Sequence, residues 1–221
     1  RMTGRSHSFC AVGGPCTSYE LADRQHSSVV FCGEDERALR LFRDALRTDY
    51  YHVSLSDDVT GVECVAAMKN AYALAVSLAV GLHEKEHGRD AAQAYNPQAA
   101  LFGQSVREIR RMLKLVGGRD ENIVYGAGDL YVTVFGGRTR RLGTLLGRGL
   151  SISEALGQLE GITLESAVIA GRTVSALKEL AKRGRTVTGE FPLLMHVGDL
   201  LEGNRKEGIP WSAFETVERP E

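Results

Sequence analysis

Residues Gly61–Leu82 read GVECVAAMKNAYALAVSLAVGL, and this run decides the fold. Before it, short apolar runs alternate with a helical pattern; after it, helical patterns follow one another to the end of the chain. The run itself is mostly Ala, Val and Leu, and its only charges are Glu63 and Lys69. A lysine is costly to bury without a partner, so Lys69 needs a physical reason. The stretch is just long enough to span a bilayer, but Lys69, Glu63, Asn70 and its many alanines mark it as a buried helix of a soluble bundle, with no membrane insertion.

Upstream, Ser8–Val12, Ser28–Cys32 and Tyr51–Leu55 read as strands. Glu34–Arg47 reads as an amphipathic helix with Ala38, Leu41, Phe42 and Leu46 on one face. Downstream, Asp57 or Asp58 caps a helix over 60–83, and Asn96-Pro97 opens one that runs to Val116 and stops at Gly117-Gly118. Further helices fit Thr139–Leu146, Glu165–Lys182 and Phe191–Glu202, and Ser151 to Glu154 has the capping-box pattern. The chain is therefore α/β first and all-α afterwards, with the boundary near residue 58. Three strands and one good helix leave sheet edges and faces uncovered, and no G-x-G-x-x-G follows a strand. The chain reads as the end of a nucleotide-binding domain followed by a whole helical domain.

Composition narrows the partners. Of 221 residues, 43% are apolar and 25% charged, which is ordinary for a globular protein and argues against disorder. Lys and Arg total 27 against 28 Asp and Glu, so no basic field points to nucleic acid. No charged leader followed by an apolar stretch opens the chain, and Cys10, Cys16, Cys32 and Cys64 show no C-x-x-C spacing. Reduced thiols in a cytoplasmic protein are the expectation.

Three constellations carry candidate chemistry. Lys69, followed by Asn70, lies mid-helix among apolar residues, and burial disfavours the charged form of a lysine and brings it toward proton exchange. The plainer alternative is a lysine whose stem covers apolar surface while its ammonium reaches water. The second is Gly126-Ala-Gly-Asp129, then Thr133, then Gly136-Gly137-Arg138-Thr139-Arg140 opening a helix. Backbone N–H groups at such a start, with a guanidinium beside them, suit a phosphate; the alternative is a turn before a surface helix, with Asp129 a cap. The third, His83-Glu84-Lys85-Glu86-His87, matches the H-E-x-x-H pattern of zinc proteases, with Glu108 a conceivable third ligand. Position 90 is Asp where the longer signature has Gly, so a polar end to the buried helix is the better reading and no metal is expected.

Taken in order, these residues resemble the NAD(P)-dependent glycerol-3-phosphate dehydrogenase family. The matching segments are Gly14-Pro15 with Glu20-Leu21-Ala22, Gly61 through Ala71, Asn96 with Ala99 and Leu101, Gly128-Asp129-Leu130 with Thr133, and Gly136-Gly137-Arg138 with Arg140. The resemblance implies that residues 1–58 are the last part of an NAD(P)-binding Rossmann domain. It implies that 59–221 are an all-helical domain that binds substrate and carries catalysis. The family reaction is hydride transfer between NAD or NADP and dihydroxyacetone phosphate or sn-glycerol 3-phosphate. Lys69 matches the catalytic lysine; Gly14, Cys16, Asp129, Gly137, Arg138 and Thr139 match substrate-contacting positions; Ser18, Arg138 and Glu165 match cofactor contacts. A small phosphorylated substrate and a homodimer through the helical domain follow from the same likeness.

Thr139, Cys16 and Gln98 depart from the residues usual at their positions, and extra residues containing HEKEH sit where the family helix gives way to a loop. The resemblance places the dinucleotide fingerprint in sequence outside this chain, so these residues alone are expected to be inactive. Two other readings stand beside the dehydrogenase: a non-catalytic helical interaction or dimerisation module, and a dehydrogenase for another small phosphorylated or carboxylated substrate.

Overall fold

Ahead of residue 58, the alternating pattern becomes one sheet with strand order β1 (Ala11–Gly13), β2 (Ser27–Cys32) and β3 (Tyr51–Ser56). The computed structural model describes residues 7–159, 165–204 and 208–214. Strands β2 and β3 are parallel, with Ser27 opposite Tyr51 and Cys32 opposite Ser56. A parallel pair needs a crossover. Helix α2 (Glu36–Leu46) supplies it, started by Asp35, whose carboxylate accepts from the N–H groups of Arg37 and Ala38. Strand β1 is antiparallel to β2, and the short helix α1 (Ser18–Ala22) lies between them.

The apolar face expected for α2 is not the buried one. Leu39 packs on Val29 and Phe31, whereas Leu41, Phe42 and Leu46 are exposed. Only the ridge through Leu39 meets the sheet, and three short strands are too few to cover the rest. The first strand also begins later than Ser8, and α1 has no buried residue that a periodicity argument could have found.

The run that decides the fold becomes α3 (Val59–His87). Asp58 caps it, its Oδ1 accepting from the Gly61 N–H at 2.9 Å. Its Oδ2 takes the Arg119 N–H at 2.7 Å and Asn122 Nδ2 at 2.6 Å, tying the start of α3 to the segment before α5. Around α3 stand α4 (Tyr95–Val116), α5 (Ile123–Val134), α6 (Gly137–Gly147), α8 (Glu165–Lys182) and α9 (Pro192–Leu201). Helix α7 (Ile152–Gly157) follows α6 and begins with the complete Ser151–Glu154 capping box. A helix enclosed on all sides needs no polar stripe, which is why the α3 sequence has no amphipathic period. By length and composition α3 could cross a bilayer; here its apolar middle, Ala71–Val80, is buried against the surrounding helices.

Helices α3 and α6 meet backbone to backbone. A Cβ at Gly81 would strike the Thr144 carbonyl, one at Gly143 the Leu74 carbonyl, and one at Gly147 the Leu78 carbonyl. Helix α9 is held differently. Glu108, wholly buried on α4, accepts from the Leu193 and Leu194 N–H groups at 2.8 and 3.0 Å. It also accepts from Tyr72 Oη at 3.0 Å and Gln104 Nε2 at 2.8 Å. This carboxylate satisfies two of the N–H groups that a helix start leaves open, since Phe191 provides no side-chain cap. Burial still pushes the Glu108 carboxyl above the usual carboxylate range.

Two helix limits differ from expectation. Helix α4 starts at Tyr95 with Ala94 in the capping position, so Pro97 falls in the first turn, where its missing N–H costs nothing. Helix α3 continues through HEKEH and ends at Gly88, whose φ of 93° is in the left-handed region. The HEKEH segment is therefore the last turn of the central helix and not part of a loop; the extra chain after it is the connection to α4.

Candidate functional site

Lys69 owes its place to Asp129. Its Nζ donates to Asp129 Oδ2 at 2.6 Å, with the lysine side chain 26% exposed and the aspartate 7%. Burial pushes the Asp129 carboxyl above the usual range, and the Lys69 ammonium pulls it part of the way back. The ammonium is thus sheltered, compensated and still partly open, which suits a group that passes a proton to a bound molecule.

The Gly126-Ala-Gly-Asp129 segment that brings the carboxylate there is neither a turn nor a cap. It lies inside α5, and its glycines are close-approach positions. A Cβ at Gly126 would sit 2.6 Å from Val65 Cβ on α3, and one at Gly128 would sit 3.1 Å from Pro15 Cγ. The first contact draws α5 onto α3 so that residue 129 faces residue 69; the second brings the loop after β1 against the same helix.

Next to this pair lies a cavity of about 230 Å³. Gly136, Gly137, Arg138 and Thr139 line it from the start of α6, and Glu165 and Ser166 from the start of α8. Gly137 has φ of 77°, so a residue without Cβ makes the turn into α6. The two arginines of this segment divide their work: Arg140 Nη1 donates to the Val134 carbonyl at 2.5 Å and ties off the end of α5, while Arg138 faces the cavity. Asn70 and Thr133 complete the lining. Asn70 follows Lys69 in sequence, and Thr133, whose Oγ1 donates to the Asp129 carbonyl at 2.6 Å, lies one turn beyond Asp129. The ion pair therefore lies within about one helical turn of cavity-lining residues on both α3 and α5.

The other expected site residues lie apart from this lining. Gly14, with φ of 109°, turns the chain after β1. Cys16 packs against the Val29, Phe31 and Leu39 cluster. Ser18 opens α1 on the exposed surface. Asn70, Thr133 and Gly136, which the sequence sets beside Lys69, Asp129 and Gly137, join the lining. Ser166 joins it without having been expected and carries no sequence signal.

The HEKEH side chains have other partners. Glu84 pairs with Arg148 at 2.6 Å, His83 Nε2 meets the Ala92 carbonyl at 2.8 Å, and the two histidine rings stack with centroids 4.4 Å apart. Glu108 is committed to α9 and is not near them as a ligand would be. Among the described residues no group of three or more His, Cys, Asp or Glu is placed to hold a metal ion. All four cysteines are free thiols.

The fit to a nicotinamide dinucleotide can be judged from the donor set. The Arg138 guanidinium suits phosphate, the Glu165 carboxylate suits a hydroxyl or amide donor, and the Ser166 hydroxyl is buried with no partner among the described residues. Those groups match a phosphorylated, hydroxyl-bearing ligand.

The chain is similar to known proteins along most of its length. The family profile described as NAD-dependent glycerol-3-phosphate dehydrogenase C-terminus matches residues 58–208. The NADP(+)-dependent glycerol-3-phosphate dehydrogenase of Archaeoglobus fulgidus is 32% identical over 152 residues, covering 68% of this chain and 44% of its own length. The glycerol-3-phosphate dehydrogenase [NAD(P)+] of Polynucleobacter asymbioticus is 29% identical over 204 residues, covering 90% of this chain and 55% of its own. The chain thus spans about half the length of the curated relatives it matches. Among solved structures, glycerol-3-phosphate dehydrogenase from Coxiella burnetii superposes with a TM-score of 0.74 at 25% identity, over 94% of this chain and 59% of that one.

Proposed function

This chain belongs to the NAD-dependent glycerol-3-phosphate dehydrogenase family, an oxidoreductase family that uses NAD or NADP, and on that premise we propose that Lys69 is the proton donor and acceptor in the interconversion of dihydroxyacetone phosphate and sn-glycerol 3-phosphate. The observation that carries the reading is the place of the Lys69–Asp129 pair within about one helical turn of Asn70 and Thr133, which line the Arg138 cavity. A molecule with its phosphate in that cavity has its carbon chain directed toward Lys69.

In the direction of reduction, the substrate carbonyl becomes a hydroxyl: its carbon gains hydride and its oxygen gains a proton. A nicotinamide cofactor, when bound, would supply that hydride in reduction and accept it in oxidation. Lys69 Nζ delivers the proton to the oxygen as negative charge builds there, and recovers it from the hydroxyl in oxidation. Asp129 holds the ammonium in place and balances its charge. Arg138, with the backbone N–H groups of Gly137 and Thr139 at the start of α6, holds the phosphate. Arg138 and Glu165 are the cofactor contacts on this side of the cleft, with Ser18 on the sheet side.

Gly14 and Cys16 are read as substrate contacts approached through Pro15, which packs on α5 beside Asp129. The sheet with α1 and α2 belongs to the dinucleotide half, residues 1–58, and the helices from α3 onward to the substrate half, residues 59–221. On this reading the 221 residues alone hold too little of the dinucleotide half to turn over substrate. Steady-state assay of the complete protein with dihydroxyacetone phosphate and either NADH or NADPH tests the assignment. Turnover with at least one of them supports it, and none with both counts against it.

A further inference from the structure

Several hydroxyl side chains inside the helices are satisfied by their own helix, and Ser166, among the described residues, is not. Ser77, Ser105, Thr133, Thr173 and Ser175 each donate to the carbonyl four residues earlier, at 2.6 to 3.0 Å. For Ser166, the second residue of α8, the position four residues earlier lies outside the described residues. It is 1% exposed, and its Oγ is one of only two buried side-chain polar atoms among the described residues that lack a hydrogen-bond partner. A buried hydroxyl left unpaired costs free energy, so such a group calls for a partner that arrives later. It lines the same cavity as Arg138 and the start of α6.

We propose that the Ser166 hydroxyl is a ligand-binding group that donates to a phosphate oxygen of a phosphate ester held in this cavity. The inference rests on the reading of the cavity as a phosphate site and adds to it a neutral donor from a second helix. The start of α6 then faces the anion with the positive end of its dipole, while Ser166 approaches it from α8. Glu165 refines the ligand class. Its carboxylate lines the cavity and repels a bare anion, but it accepts from a hydroxyl, so an ester of a polyol or of ribose fits better than inorganic phosphate. Two ligands carry that chemistry: the substrate, through its phosphate and hydroxyls, and the dinucleotide, through its pyrophosphate and ribose.

Calorimetric titration of the complete protein with sn-glycerol 3-phosphate and with NADH, together with the melting temperature of the unliganded protein, tests the proposal. Ser166→Ala is expected to weaken binding of the ligand whose phosphate it contacts by about tenfold. The same variant is expected to leave the unliganded melting temperature unchanged or raise it, because an orphaned hydroxyl has been removed. Weakening confined to sn-glycerol 3-phosphate assigns the hydroxyl to the substrate, and weakening confined to NADH assigns it to the dinucleotide. Unchanged dissociation constants for both ligands overturn the proposal, and so does a lowered melting temperature, which makes the hydroxyl structural. Arg138→Ala separates this inference from its premise. If that variant binds both ligands as the parent does, the phosphate site itself is wrong; if it weakens binding while Ser166→Ala does not, only the role of Ser166 fails.

Discussion

Lys69 Nζ donates to Asp129 Oδ2 at 2.6 Å across the contact between the central helix and α5, and the α3 sequence makes sense once that bond is in place. An apolar helix tolerates a lysine when a carboxylate on a neighbouring helix compensates it, and the close approach at Gly126 brings that carboxylate within reach.

Removing one partner should expose the cost of the other. Asp129→Ala leaves the Lys69 ammonium without its anion and is expected to lower stability by about 1–3 kcal/mol, read from urea unfolding. Lys69→Ala and the double variant complete a cycle with a coupling energy of about 1–2 kcal/mol. Additive losses would mean that the pair contributes nothing as a pair.

Glu108 supplies a pH dependence. Its folded-state carboxyl titrates above the usual range because burial disfavours its charge, so between its folded and unfolded values the folded protein binds more protons. That contribution to stability is fully present below the unfolded value near 4.5 and is lost as pH rises through the folded one. Glu108→Gln removes the titration and also sets an amide donor against the N–H groups of Leu193 and Leu194. We expect a loss of about 2–4 kcal/mol and a flatter stability profile above pH 4.5. An unaltered profile in the variant would show that Glu108 is not its source.

Close backbone contact between α3 and α6 makes Gly81 intolerant of a side chain. Gly81→Ala places a methyl against the Thr144 carbonyl and the Arg148 N, neither of which moves without shifting α6. The expected loss is about 3 kcal/mol or more, whereas Gly103→Ala, where a Cβ meets nothing within 4 Å, should be neutral or slightly stabilising. Comparable melting temperatures for the two variants would refute the packing argument.

Thiol reactivity offers a probe of burial that needs no activity. Burial, with the Asp58 carboxylate adding to it, pushes the Cys64 thiol up to about 11. At pH 8 it should alkylate with iodoacetamide at least about tenfold more slowly than an unperturbed thiol. Rapid labelling of Cys64 in the folded protein, mapped by peptide mass, would contradict its half-buried placement.

The sequence disclosed Lys69 because a charge interrupts an apolar run, and Gly137-Arg138 because glycine and arginine at a helix start have few other uses. Asp129 was legible as a residue of interest but not in its setting. Gly-Ala-Gly looks like a turn until the neighbouring helix is known, and here it is helix because Val65 and Pro15 need the room. His83 and His87 keep helical spacing for the opposite reason to the one that H-E-x-x-H raises: they end the central helix, and Glu84 between them pairs with Arg148. The exposed face of α2 and the orphaned Ser166 hydroxyl depend on what lies opposite them in space, which no local pattern records.

The most direct test of the account is the turnover of Lys69→Ala in the complete protein, measured with dihydroxyacetone phosphate and the preferred nicotinamide cofactor alongside the dissociation constant of that cofactor. The proton-transfer role predicts a fall in kcat of about 100- to 10,000-fold with cofactor affinity essentially unchanged; a variant that turns over at the parent's rate would contradict it.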